Sequence, residues 1–306
     1  MLAKGTRIAD YEVLRHVTNG GMSEVYEGRH GGRGGPVAIK VLHPDLCVER
    51  DMVVRFLNEA RSLEALKHER LIPVFAWGCL PEGRPFMVLE WLPHDLGQAL
   101  ARAGGSVASD VAVRAAAQIA EAALALHDRN ILHRDLKPAN VLLAQEDLAG
   151  AELKLADLSL AKVVREESGE GEPDPGAPLG ILHVSTGGND QLGTPEYMAP
   201  EQWIRSKSVD GKADVYSLGV LLFQMIAGRL PFIAEQPKEW MGLHLLQSPP
   251  LDLLEGLAPA ALRDIVGQML GKKAGPRPSM RHVLEQLTAM SSSPWRGPHG
   301  GGGAEG

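Results

Sequence analysis

Cysteine is nearly absent from this chain: two residues, Cys47 and Cys79, in 306. That excludes the disulfide framework that holds many small secreted domains, and it favours a reducing compartment, with both thiols expected as small buried hydrophobes. Positive charge is not in excess either. The formal net charge is −7 and the pI about 5.9, whereas a general binder of the nucleic-acid backbone is normally basic, so nucleic acid is not an expected partner. Long hydrophobic runs are missing. None reaches the roughly 18 apolar residues that suggest a membrane-spanning helix, and the nearest, Val215–Ile226, reads as a buried core helix. The opening stretch, MLAKGTRIADYEVL, lacks the apolar segment of a secretory signal. No repeat at a solenoid period is visible. The expectation is a soluble, cytoplasmic protein without a membrane segment. What the chain does have is an ordinary globular balance, 44% hydrophobic and 23% charged. Its length suits two domains or one two-lobed unit with a sizeable core.

The pattern of elements changes part-way along. Tyr11–Val17, Glu24–Arg29 and Pro36–Leu42 read as strands separated by glycine-rich turns, with a hairpin connection over residues 30–35. Arg50–Lys67 places Met52, Val53, Phe56, Leu57, Ala60, Leu63 and Leu66 at helical spacing. Two further strand-like runs follow, Leu71–Trp77 and Phe86–Trp91. Beyond Pro93 the sequence is mainly helical, with helices expected over Val111–His127, Ala213–Ala227, Ala260–Leu270 and Met280–Thr288. Residues 165–180 are rich in Glu, Gly and Pro and read as a loop, and residues 291–306 as a flexible glycine-rich tail. The expected division is 1–92, a small β-rich part; 93–290, a larger helical part; and 291–306, the tail.

Three stretches carry chemistry. Thr18-Asn-Gly-Gly-Met-Ser-Glu-Val25 lies between two predicted strands. Glycines there let backbone N–H groups approach phosphate oxygens, although glycines in a hairpin are common for turn reasons alone. Val37-Ala-Ile-Lys40 ends an apolar strand in a lysine, whose ammonium needs a partner if it is buried. Glu59, on the helix that follows, is the partner offered. The third stretch is His133-Arg-Asp-Leu-Lys-Pro-Ala-Asn140, followed by Asp157-Leu-Ser159 and Gly193-Thr-Pro-Glu-Tyr-Met-Ala-Pro-Glu201. Their identity, order and spacing after Lys40 match the signature of the protein kinases. Over about Tyr11–Leu287 the chain resembles that family, and within it the bacterial eukaryotic-like Ser/Thr kinases.

The resemblance implies an α+β, two-lobed protein kinase fold. The small antiparallel-sheet lobe would carry one helix, the larger lobe would be mainly helical, and ATP and two Mg²⁺ would sit between them. It implies an ATP-dependent Ser/Thr protein kinase that passes the γ-phosphate of ATP to Ser and Thr hydroxyls of protein substrates and to its own activation loop. Catalysis of this kind rests on positioning and charge neutralisation. Lys40 would hold the α- and β-phosphates and pair with Glu59. Asp135 would accept the proton of the attacking hydroxyl, and Lys137 would contact the γ-phosphate. Asn140 and Asp157 would hold the metal through hard oxygen atoms. Thr18, Asn19, Gly20, Gly21, Met22, Ser23 and Val25 would form the nucleotide loop. Ala38 would line the adenine pocket, with Glu90 and Leu92 offering main-chain groups and Leu89 as gatekeeper. Thr194 would belong to the loop that receives the substrate, Glu201 would pair with Arg277, Asp214 would brace the catalytic loop, and His133 would be a scaffold residue. The other histidines show no metal-ligand spacing. Pairing of two copies through the small lobe occurs in relatives and is carried over as an option.

Two positions depart from the family pattern. Thr18 stands where the first loop glycine is usual, and a β-branched residue resists positive φ, so a stiffer loop and weaker ATP binding are expected. Asp157-Leu158-Ser159 replaces Asp-Phe-Gly, keeping the metal-binding carboxylate but giving up area at Leu158 and backbone freedom at Ser159. These two departures are the only support for a pseudokinase. A small-molecule phosphotransferase is the third alternative, and it fits the Gly193–Glu201 segment poorly. Ser185 and Thr186, away from the acidic run of residues 165–174, are the expected autophosphorylation sites, with Arg134 as phosphate partner. No sensor domain or anchor follows the kinase region, which suits a free cytoplasmic kinase or a fragment of a longer chain.

Overall fold

The structure is a computed structural model and describes residues 1–32, 34–158, 162–163, 194–204 and 209–292. Ser159, Ser185, Thr186, Gly193 and the tail from 293 lie outside the described residues. The chain divides into two compact units.

The first unit comprises Met1–Leu92 together with Asp157 and Leu158. Its strands are β1 (Arg7–Ile8), β2 (Tyr11–Asn19), β3 (Ser23–His30), β4 (Pro36–Leu42), β5 (Val74–Cys79) and β6 (Pro85–Glu90), with helix α1 (Arg50–Ala65) between β4 and β5. They form one antiparallel sheet in the order β1-β2-β3-β4-β6-β5. Alternation along β4 decides what each face carries. Val37, Ile39 and Val41 are buried with Val13, Tyr26, Phe86 and Val88. Period two then puts Ala38 and Lys40 together on the opposite face. On α1, Phe56, Ala60 and Leu63 form the buried stripe, and Glu59, only 3% exposed, falls on that stripe by helical spacing.

Some expectations shift. The strand expected from Leu71 begins at Val74 instead: Pro73 has no N–H for a ladder, and Leu71 and Ile72 are buried ahead of it in irregular backbone. Helix α1 stops at Ala65, short of Lys67. Cys79 is exposed rather than buried, because it ends the sheet's edge strand, and Cys47 is half-buried.

The second unit holds the described residues 93–156, 162–163, 194–204 and 209–292. Its strands are short: β7 (His94–Asp95), β8 (Ile131–Leu132), β9 (Val141–Leu143), β10 (Leu153–Leu155) and β11 (Lys162–Val163). They pair as β10-β9-β7 and β11-β8. The helices are α2 (Leu96–Arg102), α3 (Ser109–His127), α4 (Pro200–Ile204), α5 (Lys212–Ala227), α6 (Pro237–Leu246), α7 (Ala260–Met269) and α8 (Met280–Ser291). Helix α5 is buried along almost its whole length and is the axis of this unit's core. At Gly219 a Cβ would stand 2.9 Å from Met269 Cβ, so glycine lets α5 and α7 approach closely. Gly228, at φ 71°, ends α5 in the left-handed conformation, with its N–H on Gln224 O. Asp95 caps α2 by accepting from Gln98 N, and Ser279 caps α8 by accepting from His282 N. No helix among the described residues is long and apolar enough to cross a membrane. Helices α2, α4 and α6 and the two- and three-residue strands escaped sequence reading, being too short or too weakly amphipathic to show a period.

Candidate active site

The first unit brings Lys40, Glu59 and Asp157 together. Register sets Lys40 opposite Val25 on β3 and Met87 on β6. Its Nζ donates to Glu59 Oε1 at 3.1 Å and Oε2 at 3.3 Å, and to Asp157 Oδ1 at 3.2 Å. The Glu59 carboxylate is 1% exposed and the Asp157 carboxylate 37%. One ammonium thus faces two carboxylates. Both pKa directions follow. Burial alone would lower Lys40, but the charges of Asp157 and Glu59 outweigh it and hold the ammonium above its ordinary range. Burial, helped by the Asp157 charge and opposed by Lys40, pushes Glu59 up to about 7. Asp157 holds φ at 62°, an unusual conformation for a non-glycine residue. Leu158 beside it is 2% exposed and fills an apolar slot.

The glycine turn is tight. Thr18 pairs with Val25 and Asn19 with Glu24, and Gly20 N donates to Ser23 O at 2.8 Å. Thr18 lies within β2 and is not among the residues at positive φ. The conformational penalty expected there therefore does not arise, since the strand continues through the position. Met22 and Val25 are half-buried and Ser23 is buried. Ala38 pairs with Leu89 on β6. Glu90 spends its N–H on Pro73 O at 3.2 Å, and Leu92 follows the strand, half-buried.

The second unit gathers Asp135, Lys137, Asn140 and Thr194 between β8 and α4. Asp135 Oδ1 accepts from Thr194 N at 3.0 Å and Thr194 Oγ1 at 2.9 Å. Oδ2 accepts from Lys137 Nζ at 2.7 Å and Asn140 Nδ2 at 3.2 Å. Lys137 also donates to Thr194 Oγ1 at 2.9 Å, and Asn140 to Asp135 O at 2.8 Å. A hydroxyl thus donates to this carboxylate while an ammonium donates to that hydroxyl's own oxygen.

The backbone beneath is braced from α5. Asp214, fully buried, accepts from His133 N at 3.0 Å, Arg134 N at 2.8 Å and His127 Nε2 at 2.7 Å. Burial would raise its pKa, but the bond and charge of His127 outweigh burial and lower it. Arg134 sits at φ 68°, and its carbonyl accepts from Gln202 Nε2 at 3.1 Å. His133 is fully buried, with Nε2 on Ala156 O at 3.1 Å and Nδ1 accepting from Asp135 N at 3.3 Å. Those partners fix one neutral tautomer, that of a scaffold residue. Arg277, with a fully buried side chain, makes a two-pronged pair with Glu201 at 2.6 and 2.8 Å.

Sequence reading missed His127 and Gln202. Both act through backbone or buried carboxylate contacts far along the chain. His127 carried one weak signal, a polar residue closing the apolar run Ala122–Leu126.

Comparison with known proteins agrees with this geometry. The protein kinase domain family matches residues 11–287. The chain belongs to the protein kinase family. Among similar kinases, the serine/threonine-protein kinase Pkn1 of Myxococcus xanthus is 35% identical over 89% of this chain, and pkn2 of the same organism 35% over 96%. The DNA damage-responsive serine/threonine-protein kinase RqkA of Deinococcus radiodurans is 33% identical over 95%. The chain spans 37%, 34% and 41% of the length of these three relatives. The two units are the sheet-rich and helical lobes of the kinase fold.

Proposed function

We propose that this kinase domain is an active Ser/Thr protein kinase, transferring the γ-phosphoryl group of ATP to protein Ser and Thr hydroxyls, its own among them. The observation that carries this is the hydroxyl of Thr194 donating to Asp135 Oδ1 while Lys137 Nζ donates to that hydroxyl's own oxygen. A substrate hydroxyl needs those two partners. Asp135 takes its proton as the oxygen attacks the γ-phosphorus, the bond to the β-phosphate oxygen breaks, and ADP leaves. Lys137 offsets charge on the moving phosphoryl group, and Lys40 holds the remaining phosphates.

The donor set suits Mg²⁺. Among the described residues no three His, Cys, Asp or Glu side chains form a cage. Mg²⁺ is ordinarily held by one or two carboxylates plus substrate phosphates rather than by such a cage. Asp157 offers a partly exposed carboxylate. Asn140 spends its amide nitrogen on Asp135, which leaves its oxygen as the remaining donor atom. Bound there, the ion would neutralise phosphate charge.

The same proposal includes a nucleotide loop over Thr18–Val25, adenine contacts at Ala38, Glu90 and Leu92, and autophosphorylation at Ser185 and Thr186. It also includes functional blocks of 1–92, 93–290 and 291–306, pairing of two copies through the first lobe, and a cytoplasmic setting, with which two free thiols agree.

The test is incubation with Mg-ATP, read by intact mass, beside Asp135→Asn. The wild type should gain phosphate, and turnover of the variant should fall by roughly 10²–10⁴ with ATP binding kept. Equal phosphate gain in both would remove Asp135 as the base. No gain in the wild type, with a basic protein substrate present, would favour the pseudokinase.

A further inference from the structure

His43 follows β4 and reaches the glycine turn with both its ring and its main chain. Its Nε2 lies 2.8 Å from Gly20 O, and its N–H donates to Met22 O at 3.0 Å. A carbonyl can only accept, so Nε2 carries the proton. His43 is itself held, its own carbonyl accepting from Leu46 N at 3.1 Å and from Cys47 Sγ at 3.3 Å as the turn Pro44–Val48 begins.

Peptide units are planar and trans. Fixing the Gly20 carbonyl therefore fixes the Gly21 N–H in the opposite direction, and fixing the Met22 carbonyl does the same for the Ser23 N–H. These lie on the segment whose N–H groups would meet phosphate oxygens. The tip has little else to order it: no heavy atom would lie within 4 Å of a Cβ at Gly21. Among the described residues, the other ties are the Gly20–Ser23 bond, the His16–Asn19 contact at 2.9 Å and the strand pairings at the base of the turn, Asn19 with Glu24 and Ser23 with Leu42.

We propose that His43 is a positioning residue for the nucleotide, clamping the glycine turn so that its N–H groups are aimed before ATP arrives. This rests on the kinase reading above. Without the clamp the turn must be ordered at the expense of binding free energy. The bond survives protonation of the ring, because Nε2 carries a proton in both states.

The experiment compares wild type, His43→Ala and His43→Gln by direct Mg-ATP binding and by steady-state kinetics. For His43→Ala, Kd and KM for ATP should rise about two- to tenfold, the loss expected for the one side-chain hydrogen bond removed, since the main-chain N–H to Met22 O stays. Its kcat should stay within about twofold, and its Tm without ATP should not move. His43→Gln, whose amide can donate, should recover most of the affinity. The affinity gap between wild type and His43→Ala should hold between about pH 5.5 and 8. Unchanged ATP affinity in His43→Ala overturns the inference, as does His43→Gln behaving like His43→Ala, or a gap that closes as the ring is protonated. A wild-type chain that fails to bind Mg-ATP overturns the kinase reading first.

Discussion

Among the buried ion pairs of the described residues, Arg277–Glu201 in the helical lobe and Lys40–Glu59 in the sheet lobe differ in how their partners are held. Arg277 meets one carboxylate, Glu201, and spends its other N–H groups on Gly271 O at 2.6 Å, Lys212 O at 2.9 Å and Lys272 O at 3.3 Å. Every N–H of the guanidinium is occupied, so Arg277 has no donor left to offer a ligand. Lys40 meets two carboxylates, and one of them, Asp157, stays partly exposed. An ion pair whose donors are all engaged can only hold the chain together, whereas one with an exposed carboxylate stays open to solvent. Burial of the cation alone does not tell the two apart; the exposure of its partners does.

The strongest way to break that contrast is Glu201→Ala. It would leave a buried guanidinium without its counter-charge, at a cost of about 3–5 kcal/mol, read as a lower denaturant midpoint. A variant as stable as wild type would show that the pair is not structural.

Lys40→Met should do the reverse. Phosphoryl transfer should fall by roughly 10²–10³ in kcat/KM. The Tm should stay close to wild type, because Glu59, whose pKa burial already raises to about 7, can take up a proton when the ammonium is gone. A large drop in Tm would place Lys40 with Arg277.

Acid should then separate the lobes. His244 is buried beside Tyr216, with its Nδ1 2.9 Å from the hydroxyl, and is flanked by Trp240 and Phe232. Burial, then the nearby Lys272 ammonium, lowers its pKa to about 4, against the main chain of Pro195 and Glu196. The unfolded chain therefore binds this proton more readily. Stability is lost as pH falls from about 6.5 to about 4, by about 3 kcal/mol at about 1.4 kcal/mol per tenfold. His244→Phe should flatten the slope of Tm against pH over that window, and an unchanged slope would assign the loss elsewhere.

The smallest effect belongs to Glu59. Its raised pKa gives a stability contribution that is present at low pH and lost as pH rises through about 7. Acidification through neutrality should thus leave the sheet lobe no less stable while weakening the Lys40 pairing. Activity should decline across that range in the wild type, and Glu59→Gln, already low, should show a flatter profile. A wild-type rate that is level through neutrality would mean that Glu59 stays ionised.

Much of this was legible in the residues. The strand bearing Lys40 and the helix bearing Glu59 follow from periods of two and 3.6. The signature from His133 to Asn140 carried the family and, with it, the fold. The loop geometry did not follow. Thr18 was expected to stiffen the glycine turn by resisting positive φ, but strand pairing runs through it, and among the described residues the non-glycine positive φ angles fall on Ala9, Asn130, Arg134 and Asp157. Short helices such as α2 and α6 were invisible because a turn or two of helix is fixed by packing rather than by pattern.

The sequence by itself determined the inventory: which side chains are present, which face of a strand or helix each occupies, and which family they belong to. Tertiary structure decided the pairings. Asp157 reaches Lys40 across a separation of 117 residues, Asp214 reaches Arg134 across 80, and Thr194 closes on Asp135 across 59. Periodicity reports a residue's orientation within its own element. Whether an ion pair's partners are engaged or exposed, and whether a histidine clamps a turn, depends on groups that only folding brings within hydrogen-bond distance.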